Sequence, residues 1–147
     1  MTDASQRDRA SLSARQRLLV AALGLGLLAT LALAGFLEPD RRGHGTHEQL
    51  GLPPCTVYLL FGRRCPTCGM STSWAHSVRG QLVGAVRANA GGTLLGLLAM
   101  AAAPWLLISA ARGAWLGWVP ESTALAWILL AVAAVTLLDW GVRMFAR

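Results

Sequence analysis

An uninterrupted apolar run from Leu18 to Leu37 constrains this chain more than any other feature of its sequence. The run contains about 20 residues, which as an α-helix is long enough to cross the hydrocarbon core of a bilayer. Two further runs, 91–111 and 123–145, have a similar length and composition. Because backbone polar groups in lipid must be satisfied internally, these runs predict three transmembrane helices. The predicted fold class is therefore an all-α integral membrane protein.

The residues before the first run are polar and basic. Residues 1–17 include four arginines together with Ser and Asp, which predicts a disordered basic tail. Arginines followed by an apolar run, with Ala32 and Ala34 in a small-x-small pattern, are also typical of a cleaved signal peptide. The apolar core of a signal peptide is only about 7–15 residues long. We therefore expect residues 18–37 to be retained as transmembrane helix 1.

The charge of the chain fits a membrane protein better than a nucleic-acid-binding protein. The net charge is +6, and all 13 Lys or Arg residues are arginine. They flank the apolar runs instead of forming one patch, so no nucleic-acid partner is expected. Only 14% of residues are charged, against about 25% in soluble domains. We predict a multi-pass protein of the cell (cytoplasmic) membrane. Its expected partner is the lipid bilayer, with self-association or other membrane proteins left open.

Small residues recur at helical spacing in two of the runs. In the first run they fall at every fourth position, and Gly26 is the smallest of them. In the second run, Gly92 and Gly96 form a G-x-x-x-G pair. Such stripes let another helix approach closely, so all three glycines are predicted to lie at helix-packing faces.

Residues 38–90 form the only long polar segment and contain the cysteines. Its last part, about residues 70–89, is predicted to be one amphipathic helix, because apolar residues recur there at every fourth position. Arginines on the opposite face favour a helix that lies in the plane of the membrane surface. The apolar positions are Met70, Trp74, Val78, Leu82 and Val86.

The three cysteines of the chain are Cys55, Cys65 and Cys68. The last two form a C-x-x-C motif, in which one turn can present two thiolates to a tetrahedral metal ion. Pro66 stiffens this turn, and Gly69 permits a positive φ directly after it. With Cys55 as a third ligand, the pattern predicts a structural metal site, with zinc as the candidate ion.

A structural zinc site needs a fourth ligand, and the chain offers three histidines. His76 lies two helical turns beyond the C-x-x-C motif, and His44 or His47 could reach it from the upstream loop. Two other chemistries stay open at this point. A C-x-x-C motif before a helix can be a redox pair, because a helix N-terminus stabilises a thiolate. The cysteines can also form a disulfide or remain as inert buried thiols.

Three functions follow from these patterns. The first is a non-enzymatic membrane component whose cysteines bind a structural metal or form a disulfide, since the sequence offers no catalytic residue and no nucleophile–base pair. The second is a membrane thiol–disulfide oxidoreductase that uses Cys65 and Cys68. The third is a small transporter subunit, which ranks last because the apolar runs lack paired charges.

The polar segment also resembles a known family. The elements that match are Leu52-Pro53-Pro54-Cys55, Phe61-Gly62, Cys65-Pro66-x-Cys68-Gly69-Met70-Ser71-Thr72, Arg79-Gly80 and Ala88-Asn89. Together they are similar to a family of small bacterial membrane proteins that is known only as a domain of unknown function. The resemblance covers residues 50–111 and implies a cytoplasmic-membrane protein with its three cysteines in matching positions. Ser71 and Ala90 stand where the family usually has Thr and Pro. The resemblance implies no catalytic residue.

Overall fold

The structure is a computed structural model and describes residues 11–145. These residues form helices, turns and loops but no strand. Three of the helices are long and apolar enough to cross a membrane, so the predicted fold class is confirmed. A short 3₁₀ helix, Thr46–Leu50, lies in the first loop. The α-helices are α1 (Ala14–Phe36), α2 (Thr56–Phe61), α3 (Met70–Ser77), α4 (Leu82–Ala88), α5 (Ala90–Arg112) and α6 (Ser122–Phe145).

Helix α1 begins before the apolar run, because a polar cap sets its start. The Ser13 side chain accepts a hydrogen bond from the Gln16 backbone N–H, and Gln16 Oε1 accepts one from the Ser13 N–H. This reciprocal capping satisfies two backbone donors that a helix start otherwise leaves free. Residues 14–17 are therefore helical, although they fall in the predicted disordered tail, and residues 1–10 of that tail lie outside the described residues.

Helices α1 and α5 run antiparallel, and arginines fix their ends. Arg17 in the first turn of α1 donates to the carbonyls of Ala110 and Ala111 at the end of α5 (3.0 and 3.2 Å). At the other end of the molecule, Arg79 donates to the carbonyls of Ala34 and Gly35 at the end of α1 (3.3 and 2.9 Å). A cation at a helix C-terminus satisfies free carbonyls and complements the helix dipole.

The α1–α5 interface uses a different face of α1 from the one predicted. Gly26 is exposed, and a Cβ atom placed on it would meet no atom within 4 Å. Gly24 is buried instead, and a Cβ placed there would lie 2.9 Å from Leu107 Cγ and 3.3 Å from the Ala103 carbonyl oxygen. Gly26 therefore does not lie at the α1–α5 interface, because small residues recur on more than one face of this helix. The buried apolar residues of this interface are Val20, Leu31, Ala99, Ala103, Leu106 and Ala110.

This difference predicts opposite outcomes for two matched substitutions. We expect Gly24→Ala to lower the free energy of unfolding by about 1–3 kcal/mol, because the added methyl overpacks the contact with α5. Gly26→Ala should leave it unchanged or raise it by up to about 1 kcal/mol, since alanine favours the helix and meets no neighbour. Thermal unfolding of the purified proteins in detergent measures both. Equal losses from the two substitutions would contradict the assignment of the packing face.

The predicted helix over residues 70–89 is two helices in the structure. The chain turns between α3 and α4, where Gly80 has a φ of +71°. Helix α3 packs against other helices, and Thr72, Ser73 and Ala75 are fully buried there. Helix α4 is more exposed and leaves Leu82, Val83 and Val86 open to the surroundings.

Helix α3 packs alongside the first turns of α5, where the G-x-x-x-G pair lies. A Cβ atom on Gly92 would lie 2.5 Å from Ser73 Oγ, and one on Gly96 would lie 3.3 Å from Cδ1 of Trp74. Both glycines therefore permit a close helix contact. The helix they admit is α3, which follows the cysteine turn, and not another of the three long helices.

Candidate metal centre

The side chains of Cys55, Cys65 and Cys68 converge. Their Sγ atoms all lie within 4.8 Å of one another, and no two of them form a disulfide. Cys65 Sγ lies 3.6 Å from Cys55 Sγ and 3.0 Å from Cys68 Sγ, so it occupies the middle of the group. Cys68 is buried, and the other two are partly buried. We call these three residues the sulfur cluster.

Two local turns carry the three thiols. Cys55 is the residue before α2, and its carbonyl accepts the Leu59 N–H (3.0 Å). Cys65 and Cys68 lie on one turn, closed by the Cys68 N–H donating to the Cys65 carbonyl (3.1 Å). Residues 55 and 65 are thus at the two ends of a hairpin formed by α2 and the loop after it. We call residues 55–68 the cysteine hairpin.

Gly69 lets the cysteine turn approach its neighbours closely. It has a φ of +89°, a left-handed conformation that residues with a Cβ atom rarely adopt. A Cβ atom there would also lie 2.5 Å from the Ala88 carbonyl oxygen and 2.7 Å from the Gly43 carbonyl oxygen. The backbone therefore fits between two other segments only because residue 69 has no side chain.

Asn89 connects the cysteine turn to α5. This fully buried side chain donates through Nδ2 to the carbonyls of Pro66 (2.9 Å) and Cys68 (3.2 Å). Its Oδ1 accepts the Gly92 N–H (2.7 Å) and so caps the start of α5. An Asn directly before an apolar run is a sequence signal for a helix cap. No sequence signal indicates the two hydrogen bonds from Asn89 to the cysteine turn.

The end of α6 also holds the cysteine hairpin. Trp140 Nε1 donates to the Arg64 carbonyl (2.8 Å), and Arg143 Nη1 donates to the carbonyls of Cys68 (3.4 Å) and Ala88 (3.2 Å). Arg143 also forms an ion pair with Asp139 (2.6 Å), whose carboxylate accepts the Ala90 N–H (3.2 Å). This ion pair at the end of α6 therefore holds the backbone of the cysteine turn and of the start of α5.

The electrostatic environment shifts the pKa values of the two thiols of the C-x-x-C motif in opposite directions. Burial raises the pKa of Cys65, but hydrogen bonds involving Cys68, Thr67 and Cys55 outweigh it and lower that pKa to about 7. Burial raises the pKa of Cys68 to about 12, and the neighbouring thiols add to the effect. Cys65 therefore loses its proton first, and the hydrogen bonds of its neighbours stabilise the resulting thiolate.

A cavity of about 420 Å³ adjoins the sulfur cluster and includes two of the histidines in its wall. His47 Nε2 lies 3.3 Å from the Pro53 carbonyl oxygen, and the His44 ring contacts Tyr58 with 4.9 Å between centroids. Neither imidazole belongs to the group of ligand atoms within 4.8 Å. Burial lowers the pKa of His44 and so favours the neutral imidazole.

His76 lies away from the sulfur cluster. Its Nδ1 atom is 2.7 Å from Gln81 Oε1, and the residue lines a different cavity together with Gly84 and Arg87. The structure thus brings the three predicted cysteines together and does not bring His76 to them.

The distances between the sulfur atoms can be compared with those expected in a zinc site and in a disulfide. A tetrahedral zinc ion with Zn–S bonds of about 2.3 Å separates its thiolates by about 3.8 Å. The distance of 3.6 Å between Cys55 and Cys65 is close to this value, and 3.0 Å between Cys65 and Cys68 is shorter. A disulfide needs about 2.05 Å. The Cys65–Cys68 pair would have to separate by about 0.8 Å to share a zinc ion and to approach by about 1 Å to form a disulfide, so this distance fits both chemistries about equally well.

The molecule is thus a helical protein with three helices able to cross a membrane and a cluster of three thiols beside one end of them. Residues 55–103, a third of the chain, match the family model described as "Protein of unknown function (DUF2752)". This match confirms the predicted resemblance to a domain of unknown function, and it covers all three cysteines and the start of α5. No curated protein and no solved structure matched the chain.

Proposed function

We propose that this protein is a non-enzymatic, multi-pass component of the cytoplasmic membrane in which Cys55, Cys65 and Cys68 bind a structural metal ion, with zinc as the expected metal. The convergence of three Sγ atoms within 4.8 Å carries this proposal. A disulfide would use only two of them, whereas a metal ion uses all three. Thiolates are soft ligands that favour zinc and other thiophilic metals over magnesium or calcium.

The position of the cysteines favours a structural role for the metal. None of the six residues of α2 is buried, so no hydrophobic core holds this helix in place. Cys55, directly before this helix, and Cys65, in the loop after it, instead bring its two flanking segments together, and their Sγ atoms lie 3.6 Å apart. A metal ion shared by these residues and Cys68 would fasten the cysteine hairpin to the start of α3. Metal binding then contributes directly to folding, as it does in small domains with little core.

Elemental analysis of the purified protein, combined with a count of reactive thiols, tests the proposal. We expect about one zinc ion per chain, and we expect the three thiols to react slowly until a chelator removes the metal. Parallel purifications with and without added zinc in the buffers control for adventitious metal. A protein that contains no stoichiometric metal and has three freely reactive thiols would overturn the proposal.

A reversible disulfide between Cys65 and Cys68 is the second candidate, and the 3.0 Å contact between their sulfur atoms favours it. In this function the two thiols lose two electrons and two protons to a disulfide of a partner protein, which is reduced to two thiols. The Cys65 thiolate would attack the partner's disulfide and form a mixed disulfide, which Cys68 then resolves. A Cys68→Ser variant should accumulate this mixed disulfide. If none can be trapped, this candidate fails.

A further inference from the structure

A closed structural zinc site has four protein ligands, and the sulfur cluster supplies three of them. The cavity that all three cysteines line also contains side chains that could supply the fourth. Besides sulfur, zinc binds the ring nitrogens of histidine and the oxygens of carboxylates. Within the described residues 11–145, the cavity wall includes three side chains of these types, His44, His47 and Glu48.

Two of these three side chains already have polar partners. The Glu48 carboxylate accepts a hydrogen bond from Arg42 Nη2 at 2.9 Å, so its charge is paired. The His47 Nε2 atom lies 3.3 Å from the Pro53 carbonyl oxygen. Neither ring nitrogen of His44 has a hydrogen-bond partner among residues 11–145. Both nitrogens of this imidazole are therefore available to a metal ion.

The backbone beside His44 contacts the chain on both sides of the C-x-x-C motif. Arg64, directly before the motif, donates through Nη2 to the Arg42 carbonyl (2.6 Å). Directly after the motif, a Cβ atom placed on Gly69 would lie 2.7 Å from the Gly43 carbonyl oxygen. The two residues that precede His44 therefore lie against the turn that carries two of the thiols.

A buried pair of threonines fixes this loop on α3. The Asp40 N–H donates to Thr46 Oγ1 (3.0 Å), and Thr46 Oγ1 shares a hydrogen bond with Thr72 Oγ1 of α3 (2.8 Å). Both threonines are fully buried, so a broken hydrogen bond between them would leave buried polar groups unsatisfied. The loop of residues 40–46 is therefore held beside the cysteine turn, and His44 lies within it.

The His44 ring lies near the third thiol as well. It contacts Tyr58 of α2 with 4.9 Å between ring centroids, and Tyr58 follows Cys55 by three residues, about one helical turn. The ring nitrogens do not belong to the group of ligand atoms within 4.8 Å. Rotation about the two side-chain bonds of a histidine moves its nitrogens by several ångströms without any change in the backbone. A change of rotamer could therefore bring this imidazole to the sulfur cluster.

We propose that His44 is the fourth ligand of the metal ion and that its imidazole turns from Tyr58 into the cavity to complete a site of three thiolates and one imidazole. This inference rests on the proposed function, because it requires a metal ion on the three cysteines. Three cysteines and one histidine are one of the ligand sets of structural zinc sites. The ion would then fasten the loop of residues 40–46 to the cysteine hairpin and to the start of α3.

X-ray absorption spectroscopy at the zinc edge tests the ligand set. The sample is the full-length protein in detergent, loaded with zinc and purified without a histidine tag. We expect three sulfur atoms and one nitrogen atom around the ion, with the outer-shell scattering of an imidazole ring. In the His44→Ala variant this scattering should disappear while the three sulfur atoms remain. An imidazole signal that persists in this variant, or its absence from the wild-type protein, would overturn the proposal.

Matched histidine variants assign the imidazole. His47 lines the same cavity as His44, whereas His76 lines a different one. We expect His44→Ala to weaken zinc binding at least about tenfold, since even the outer-shell partners of a metal contribute about 10–100-fold to its affinity. His47→Ala and His76→Ala should bind zinc as the wild-type protein does.

The chain has three histidines, so an imidazole signal retained in both control variants assigns the ligand to His44 even if His44→Ala folds poorly. Loss of the signal in His47→Ala or in His76→Ala would overturn the proposal.

The number of sulfur atoms around the ion separates this proposal from the proposed function. Three sulfur atoms without an imidazole would overturn the role of His44 and leave the metal site of the three cysteines intact. A wild-type protein that binds no stoichiometric zinc would overturn both.

Discussion

Replacement of Cys65 by serine is expected to abolish stoichiometric metal binding and to destabilise the cysteine hairpin. Cys65 is the central member of the sulfur cluster, in contact with both other sulfur atoms. A serine hydroxyl is a much harder ligand, and it remains protonated at neutral pH. Structural zinc contributes about 10–16 kcal/mol of binding free energy in small zinc-dependent peptides. Even a fraction of this should lower the free energy of unfolding by at least about 3 kcal/mol and reduce the amount of protein that accumulates in cells.

The metal content and the thermal unfolding midpoint of the purified variant measure this effect. Ser71→Ala is a suitable control, because Ser71 lines the same cavity as the three cysteines but offers no thiolate. It should retain the metal and unfold close to the wild-type temperature. If the Cys65→Ser protein kept a full complement of metal and accumulated normally, a structural metal on these three cysteines would be excluded.

Gly69→Ala should have the second large effect. The substitution imposes a Cβ atom on a residue with a φ of +89°, and that atom would lie 2.5 and 2.7 Å from two backbone carbonyl oxygens. A left-handed conformation alone costs about 1–2 kcal/mol in a residue other than glycine. Overpacking typically costs a further 1–3 kcal/mol or more, and backbone atoms cannot move aside as a flexible side chain can. We expect the free energy of unfolding to fall by about 3 kcal/mol or more, together with weaker metal binding.

Gly62→Ala separates these two contributions. Gly62 also has a positive φ, +63°, but a Cβ atom there would meet nothing within 4 Å. It should therefore lose only about 1–2 kcal/mol, the part that comes from the backbone conformation. Thermal unfolding of the two variants in the same detergent gives the comparison. Similar losses at both positions would mean that the close approach at Gly69 contributes little.

The long helices were predictable because their signal is local. Length and hydropathy along one run are enough to indicate a helix that can cross a membrane, and all three predicted runs are helices in the structure. Their exact starts were less predictable. Short-range polar bonds, from Ser13 at α1 and Asn89 at α5, extend each helix beyond the apolar run. Hydropathy does not report such bonds.

Packing faces were harder to predict, because a stripe of small residues indicates only that another helix can approach closely. In α1 the buried glycine is Gly24, whereas Gly26 faces outward. In α5, Gly92 and Gly96 are buried, but they receive α3 instead of another long helix. Which helix occupies a stripe depends on the shape of both surfaces, and one of them is always distant in the sequence.

The sequence by itself determined three long apolar helices and a polar segment with three cysteines, because hydrophobic runs and the C-x-x-C motif are local properties of the chain. Only the tertiary structure decided what surrounds the sulfur cluster. The groups that fix it, from Asn89, Trp140 and Arg143, donate to backbone carbonyls 21–76 residues away. Every residue carries such a carbonyl, so no sequence pattern marks the one that a side chain will reach. That choice is made when the helices pack and place specific donors beside specific acceptors.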